Sequence, residues 1–403
     1  MSVQSKKLVY DSGASPWFWV CDVNDDTHMR ITIWLDHRVV GDELQQAWDR
    51  TLRVYPLLDL EPDRIDGHLC FFESDCKSKV IESAEPAAPG TDLTARRGVS
   101  VSYYDDSITF LSYHSMIDGH GVMMIAKTLL YLYMCIHFNE AFDSTGIVLE
   151  ENRQPGEYFK PFMSYPLGEY TPVKPYTFPE NKDFFSDANM APEEPGRITV
   201  GILSVPASDF IALCKSNKAN PTAMLSIIFA RTAYEIHQDD KRDALIHLTV
   251  DFRPMLGIED SIAQASSAAL IEVPHDEVIK DDLAPLAMRI RSDLNAQRDP
   301  DYVKSFTAIT RTYDMSTRAC SGVISYMGRF ELGGCVEHVS KVLMVNNACN
   351  ILNIIQFGDE FLIYCQLGKA AEAYMRVMTA VFAKMGVVAT VAQAPKMAIC
   401  ERR

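Results

Sequence analysis

The run Ser112-Tyr113-His114-Ser115-Met116-Ile117-Asp118-Gly119 places a histidine, an aspartate and a glycine in the spacing His-x-x-x-Asp-Gly. Imidazole titrates near neutrality, so His114 is suited to take a proton from a hydroxyl, an amine or a thiol. Asp118 need not touch that ring. A carboxylate four residues on, at a turn, more naturally fixes the loop by pairing with a cation elsewhere. His114, Asp118 and His120 are all legitimate zinc ligands, but no fourth ligand stands at motif spacing, so no metal is expected. Ser325 and Tyr326 are candidate donors to a developing oxyanion. The chain contains no GxSxG, P-loop or GxGxxG pattern, which lowers the hydrolase, NTPase and dinucleotide readings.

Three fixed positions in six recur by chance, so the surrounding elements decide what the motif is worth. Residues 107–114 read as a strand whose period of two puts Ile108, Phe110, Ser112 and His114 on one face. A hairpin break at Tyr104-Asp105-Asp106-Ser107 joins it to a strand over 99–104. The apolar stretch 121–138 approaches membrane-spanning length. It carries Lys127 and His137 and follows a polar turn, so it predicts a core helix, without membrane insertion. His120 and His137 are expected to be solvent-facing or hydrogen-bonded. Further upstream, 30–35 alternates as a strand. Asp42 is placed to cap a helix with Leu44, Ala47, Trp48, Leu52 and Tyr55 on its apolar side, stopped by Pro56. Residues 68–72 read as another strand.

Between 154 and 196 the pattern dissolves into prolines, aromatics and acids, which predicts a connector. Beyond it come a strand at 198–205 and a helix opening at Ser208. Asn220-Pro221 is a cap with proline at the first helical position, opening a helix over 222–236. Strands are expected at 244–252, 322–327, 342–346, 350–357 and 360–366, and helices near 283–294, 303–313 and 370–385. The acidic run Asp239, Asp240 and Asp243 reads as a solvated loop. Strands and helices mix in both halves. The expected organisation is α/β: an N-terminal domain over 1–160, a Pro-rich crossover linker over 161–196 and a C-terminal domain over 197–403.

Composition bounds the partners. The 403 residues are 47% hydrophobic and 23% charged, and 54 acidic against 38 basic residues give a formal charge of −16. So acidic a surface repels phosphate backbones, making nucleic acid and anionic membranes poor partners. A local basic pocket for one small phosphorylated co-substrate remains compatible. The ten cysteines are spread without CxxC pairs and no apolar leader opens the chain, so reduced thiols and a cytoplasmic location are expected.

His114-Ser115-Met116-Ile117-Asp118-Gly119 resembles the HxxxDG motif of the chloramphenicol acetyltransferase-like superfamily. That group includes peptide-synthetase condensation domains, BAHD acyltransferases and alcohol acyltransferases. Arg53-Val54-Tyr55-Pro56-Leu57-Leu58 is similar to the early R-h-P-x-L helix end of that group. Val250-Asp251-Phe252-Arg253-Pro254 is similar to its N/D-x-R-P strand end, and Ser325-Tyr326-Met327-Gly328 to its late S-N-x-G strand. The resemblance implies two similar sandwich domains with a tunnel between them, entered by a thioester donor from one side and an acceptor from the other. It implies His114 as general base, Asp118 as a structural partner of an arginine (Arg253 being the candidate), and Gly119 as the residue permitting a tight turn. Condensation domains usually carry a second histidine where Tyr113 stands, which weakens peptide condensation more than acyl transfer; Tyr113 becomes a candidate tunnel or oxyanion residue. The expected function is transfer of an acyl group to an alcohol or amine from a thioester, either acyl-CoA or a phosphopantetheine arm. The expected partners are a small-molecule acceptor and an acyl or peptidyl carrier protein. Condensation between carrier-bound substrates and a non-catalytic binding relative are the alternatives.

Overall fold

A computed structural model describes residues 7–11, 28–65, 68–74, 77–153, 166–176, 182–190, 197–310, 320–346, 350–392 and 396–398. Strands dominate wherever β-branched and aromatic residues cluster. In the five-stranded sheet the order is Val339–Asn346, His28–Leu35, Ser107–Tyr113, Val99–Tyr104, Val80–Glu82. Ile31 lies opposite Phe110 and Ile33 opposite Ile108, so the apolar face expected from alternation is in register. The polar alternates are covered as well. Thr32 and Thr109 share a hydroxyl–hydroxyl bond of 2.9 Å, and Arg30 Nε donates to Thr32 at 3.0 Å. Buried hydroxyls satisfy each other there, which keeps the second face of the sheet inexpensive to bury.

The seven-stranded sheet runs Ser266–Val273, Ala244–Asp251, Gly322–Arg329, Ile351–Phe357, Glu360–Gln366, Gly201–Pro206, Thr390–Ala392. Its core forms against the helices Pro221–Ile236 and Ala371–Lys384. The expected cap is present: Asn220 Oδ1 accepts from the Ala223 amide at 2.8 Å, ahead of Pro221. The helix near 303–313 spans Pro300–Thr310, and residues 311–313 lie outside the described residues.

Four expectations change. The first helix spans Gly41–Val54 and its N-cap is Val40, without a side-chain cap bond. Asp42 instead sits in the first turn, where the helix dipole favours an acid. The strand expected at 198–205 is two pieces. Arg197–Thr199 pairs with Lys396–Ala398, while Gly201–Pro206 enters the large sheet. In the acidic run, Asp240 binds Arg242 at 2.6 Å and Asp243 binds Lys182 at 2.9 Å, so the loop is held by ion pairs rather than merely solvated. The fourth concerns the domain division. Val339–Asn346, from the C-terminal half, pairs along its length with His28–Leu35. The sheets therefore exchange a strand across the expected linker at 161–196. Much of the proline-rich connector lies outside the described residues.

That exchange builds the site. The chain runs along Gly322–Arg329 in the large sheet, crosses to Val339–Asn346 in the small one, then returns as Ile351–Phe357 beside the strand it left. Against the small sheet packs the helix Gly119–His137. It is long and apolar enough to cross a membrane by length and composition, yet most of it is buried inside the protein. Val122, Ile125, Ala126, Leu129, Leu130 and Tyr133 lie in the core it shares with the small sheet.

Candidate active site

The strand Ser107–Tyr113 stops one residue before His114. The amides of Met116 and Ile117 both donate to the Tyr113 carbonyl at 3.1 Å, closing a tight turn that carries His114. Asp118 then caps the helix, its Oδ1 accepting from the Gly121 amide at 3.0 Å. The turn is strapped to the second half of the chain. Ile117 bridges to Ala263, and the Gln264 amide donates to Met116 O at 3.0 Å.

Asp118 and Arg253 form the expected pair across the junction, both essentially without exposure. Arg253 Nη2 reaches Asp118 Oδ1 at 2.8 Å and Nη1 reaches Oδ2 at 3.0 Å. The Ala265 amide adds a bond to Oδ2 at 2.9 Å. Each carboxylate oxygen thus accepts two bonds. Burial alone would raise the Asp118 pKa; the Arg253 guanidinium, then the Gly121 and Ala265 amides, more than offset it and hold the carboxyl at about 2. The guanidinium is equally well used, with Nε on Ser261 O at 2.6 Å, Nη2 on Ala263 O and Nη1 on Asp251 at 2.8 Å. Arg253 is therefore neither a surface ion pair with Asp251 alone nor a substrate ligand. It welds the motif turn to residues 261–265. Asp118, with its acceptor sites filled, does not serve as a metal ligand in this arrangement.

His114 is 5% exposed and stands on the wall of a cavity of about 450 Å³. Burial pushes its pKa below the ordinary imidazole value, against the pull of the Asp118 charge. Neutral imidazole, the form that accepts a proton, is thereby favoured. The cavity draws on both halves: Met29, His114, Gly119, His120, Met123, Met124 and Lys127 on one side, and Thr249, Asp251, Ser266, Ser325, Tyr326, Met327 and Arg329 on the other. Asn346 and Asn353 close it through Gln366, whose Oε1 accepts from Asn353 at 2.7 Å while its Nε2 donates to Asn346 O at 2.6 Å.

Ser325 and Tyr326 lie where they were expected, on the cavity wall. The Ser325 hydroxyl is turned to the sulfur of Met327 at 3.3 Å. Tyr113 does not belong with them. Its hydroxyl donates to Pro89 O at 3.0 Å and its ring packs on Phe71 and His28, because the residue before a lip histidine points to the opposite face of its strand. Gly119 also acts differently from the expectation. It is the first helical residue without a positive φ, and a Cβ there would fall 1.9 Å from the terminal methyl of Met327. Its bareness makes room for a cavity wall. Gly121 is the tighter constraint, since its Cβ would lie 2.2 Å from the carbonyl oxygen of Ile262.

Sequence reasoning missed several residues. His120 is half exposed, as expected, but it lines the cavity with its Nδ1 3.5 Å from Asp251. His137, far along the helix, is hydrogen-bonded as expected, to Glu43 at 2.7 Å. The strap at 261–265 carries no pattern of its own, being defined by what it binds. Lys127 interrupts an apolar helix, and its period with His120, Met123 and Met124 is the signal in the sequence that this face meets a cavity.

No family model matches the chain and no curated protein matches its sequence. Solved structures do match in fold. The F. sporotrichioides protein TRI101, complexed with coenzyme A and T-2, aligns over 96% of this chain and 99% of its own, with TM-score 0.63 and 13% identity. Polyketide synthase associated protein 5 from Mycobacterium tuberculosis aligns over 94% and 99%, with TM-score 0.62 and 14% identity. The starter condensation domain of rhizomide synthetase, in complex with C8-CoA and Leu-SNAC, aligns over 95% and 94%, with TM-score 0.59 and 12% identity. The chain thus has the two-domain chloramphenicol acetyltransferase-like α/β fold of these solved structures.

Proposed function

We propose that this chain is an acyltransferase that moves an acyl group from a thioester to an alcohol or amine. The observation that carries the reading is a buried histidine, its pKa lowered, on the wall of a cavity built from both halves of the chain. His114 removes the acceptor's proton as the acceptor oxygen or nitrogen attacks the thioester carbonyl. A polar group of the cavity, for which Ser325 is the candidate, steadies the tetrahedral oxyanion. Collapse expels the thiolate, which recovers the proton from His114. Acyl-CoA fits the reading, because the TRI101 structure holds coenzyme A in the same fold. The mechanism needs no metal.

Condensation between carrier-bound substrates is the second reading, supported by the likeness to the rhizomide condensation domain. Tyr113, turned into the core where condensation domains carry their first motif histidine, favours simple acyl transfer instead. Product mass spectrometry with a panel of acyl-CoAs and acyl carrier proteins against pooled alcohols and amines separates the two. No acylated product from any donor, with His114 intact, would leave the non-catalytic binding relative standing.

A further inference from the structure

One face of the helix Gly119–His137 is turned into the cavity. His120, Met123, Met124 and Lys127 follow each other at helical spacing and all line it. With Met29 from the same half and Met327 from the other, four methionines line the cavity. Unbranched thioethers adapt to long, flexible apolar guests better than to rigid ones. The charges are placed unevenly. Asp251 stands beside His120 near the start of the helix, and Lys127 comes two turns later.

Lys127 is half-buried, and no carboxylate among the described residues lies within ion-pair distance of its ammonium. Its acidic neighbour Glu331 acts from farther away and faces Arg329 at 3.6 Å. Burial lowers the Lys127 pKa, as an ammonium lacking a close counter-ion requires. In a chain of net charge −16, a partly buried lysine left without an acid is a vacancy for an anion.

We propose that the acyl acceptor is an elongated apolar molecule bearing one carboxylate, which Lys127 binds while the chain lies along the methionine wall. The inference rests on reading this cavity as the acyl-transfer site. Arg329, the other lysine or arginine on the cavity wall, faces Glu331 at 3.6 Å, so one ammonium without an acid at ion-pair distance matches a single carboxylate. The nucleotide end of coenzyme A carries several phosphate charges and calls for a cluster of cations. Asp251 repels the carboxylate from the other end of the helix face and so fixes the orientation, hydroxyl or amine towards the His114 turn. The eight steps from Gly119 to Lys127 span about 12 Å at 1.5 Å each. At about 1.2 Å per extended bond that corresponds to roughly ten bonds, the length of an ω-hydroxy medium-chain acid.

The first test is binding. Titration calorimetry compares decanoate with decan-1-ol on the full chain, on Lys127→Met and on His114→Ala. Decanoate should bind at least about tenfold tighter than the alcohol, and Lys127→Met should bring the ratio to within about twofold, since loss of a charge-assisted bond is worth a factor of that order. Lys127→Arg and His114→Ala should keep the preference. Equal binding of the two probes, or a preference that survives Lys127→Met, overturns the proposal. The second test uses octanoyl-N-acetylcysteamine as a donor without phosphates, and 10-hydroxydecanoate against its methyl ester as acceptors. Preference for the acid, lost in Lys127→Met, supports the assignment. If Lys127→Met raises KM for octanoyl-CoA alone, the lysine serves the donor and the assignment to the acceptor is wrong. Absence of transfer to any acceptor, with the binding preference intact, counts against the acyl-transfer reading and leaves the anion site in place.

Discussion

Asp118→Asn is the sharpest test of how the motif is built. The substitution keeps the shape and removes the charge. Both carboxylate oxygens accept two bonds, from Arg253 Nη2 and Gly121 N on one side and from Arg253 Nη1 and Ala265 N on the other. Whichever way the asparagine amide turns, its NH2 meets two donors. Removing one partner of a buried pair costs on the order of 3 to 5 kcal/mol, because the remaining charge is left uncompensated. Asp251, already bonded to Arg253 at 2.8 Å, moderates that toward the lower end. An independent route gives a similar size. A carboxyl held at about 2 instead of 3.8 contributes on the order of 2 kcal/mol of folding stability at neutral pH. The folded pKa is depressed, so this contribution is complete above about pH 4 and is lost as pH falls toward 2. Spread over an unfolding entropy of about 2 cal/mol/K per residue for the whole chain, a loss of 3 to 4 kcal/mol lowers Tm by roughly 4 to 5 °C. Calorimetric melts of wild type and variant from pH 3 to 8 measure it, and the difference should shrink at the acid end. A variant melting within about 1 °C of wild type at pH 7 refutes the argument on the scale just worked. So does a coupling energy below about 1 kcal/mol in the double-mutant cycle with Arg253→Met.

His114→Ala should lower turnover by about 10² to 10⁴-fold while moving Tm by a few degrees, since the ring borders an existing cavity; retention of more than a tenth of the activity removes the base assignment. Because burial lowers the His114 pKa, the acid limb of kcat/KM should lie below the ordinary imidazole value of 6.5, activity being lost as pH falls through it; a limb above 6.5 contradicts the buried setting. Transfer should be direct, with intersecting initial-velocity lines and no acyl-enzyme. The Ser325 hydroxyl is turned to Met327, and no described cysteine lines the cavity. Intact-mass measurement after incubation with donor alone checks this, and a hydroxylamine-sensitive adduct overturns it. Gly121→Ala should be far more damaging than Gly119→Ala. The first drives a Cβ into a backbone carbonyl at 2.2 Å, the second into a methionine methyl that can swing away; equal melting temperatures for the two would show the helix start to be loose.

What the sequence revealed and what it hid follow from the range of the interactions. The strand, turn and helix around His114 are local, set by a period of two, a polar turn and a run of apolar residues, and are legible; that Asp118 also caps the helix is not. The Asp118–Arg253 pair was legible for a different reason: a carboxylate at a buried helix start must have a cation, and the resemblance offered Arg253. Tyr113 misleads because standing where condensation domains carry a motif histidine does not put its side chain in the cavity: neighbours on a strand face opposite ways. Gly119 misled because a glycine suggests backbone freedom, whereas here it makes space for Met327. The strap at 261–265 and the crossing of Val339–Asn346 into the small sheet were out of reach, since neither leaves a periodic signal.

The same distinction explains why the cavity sits where it does. A motif turn supplied by one half cannot hold a buried charge alone, and the residues that neutralise Asp118 come from the other half. The strand pair Gly322–Arg329 and Ile351–Phe357 belongs to the large sheet, yet the chain between them completes the small one. Among the described residues the two halves are joined at the His114 turn, by the ion pair and the Ile117–Ala263 bridge, and again by a shared strand, and the cavity is lined from both halves. Sliding one half over the other would break both. The wall that carries His114 and the wall that carries Ser325 and Tyr326 are therefore held in fixed relation. The proposed base and oxyanion donor, on opposite walls, would need that rigidity to act on one carbonyl without a covalent tether.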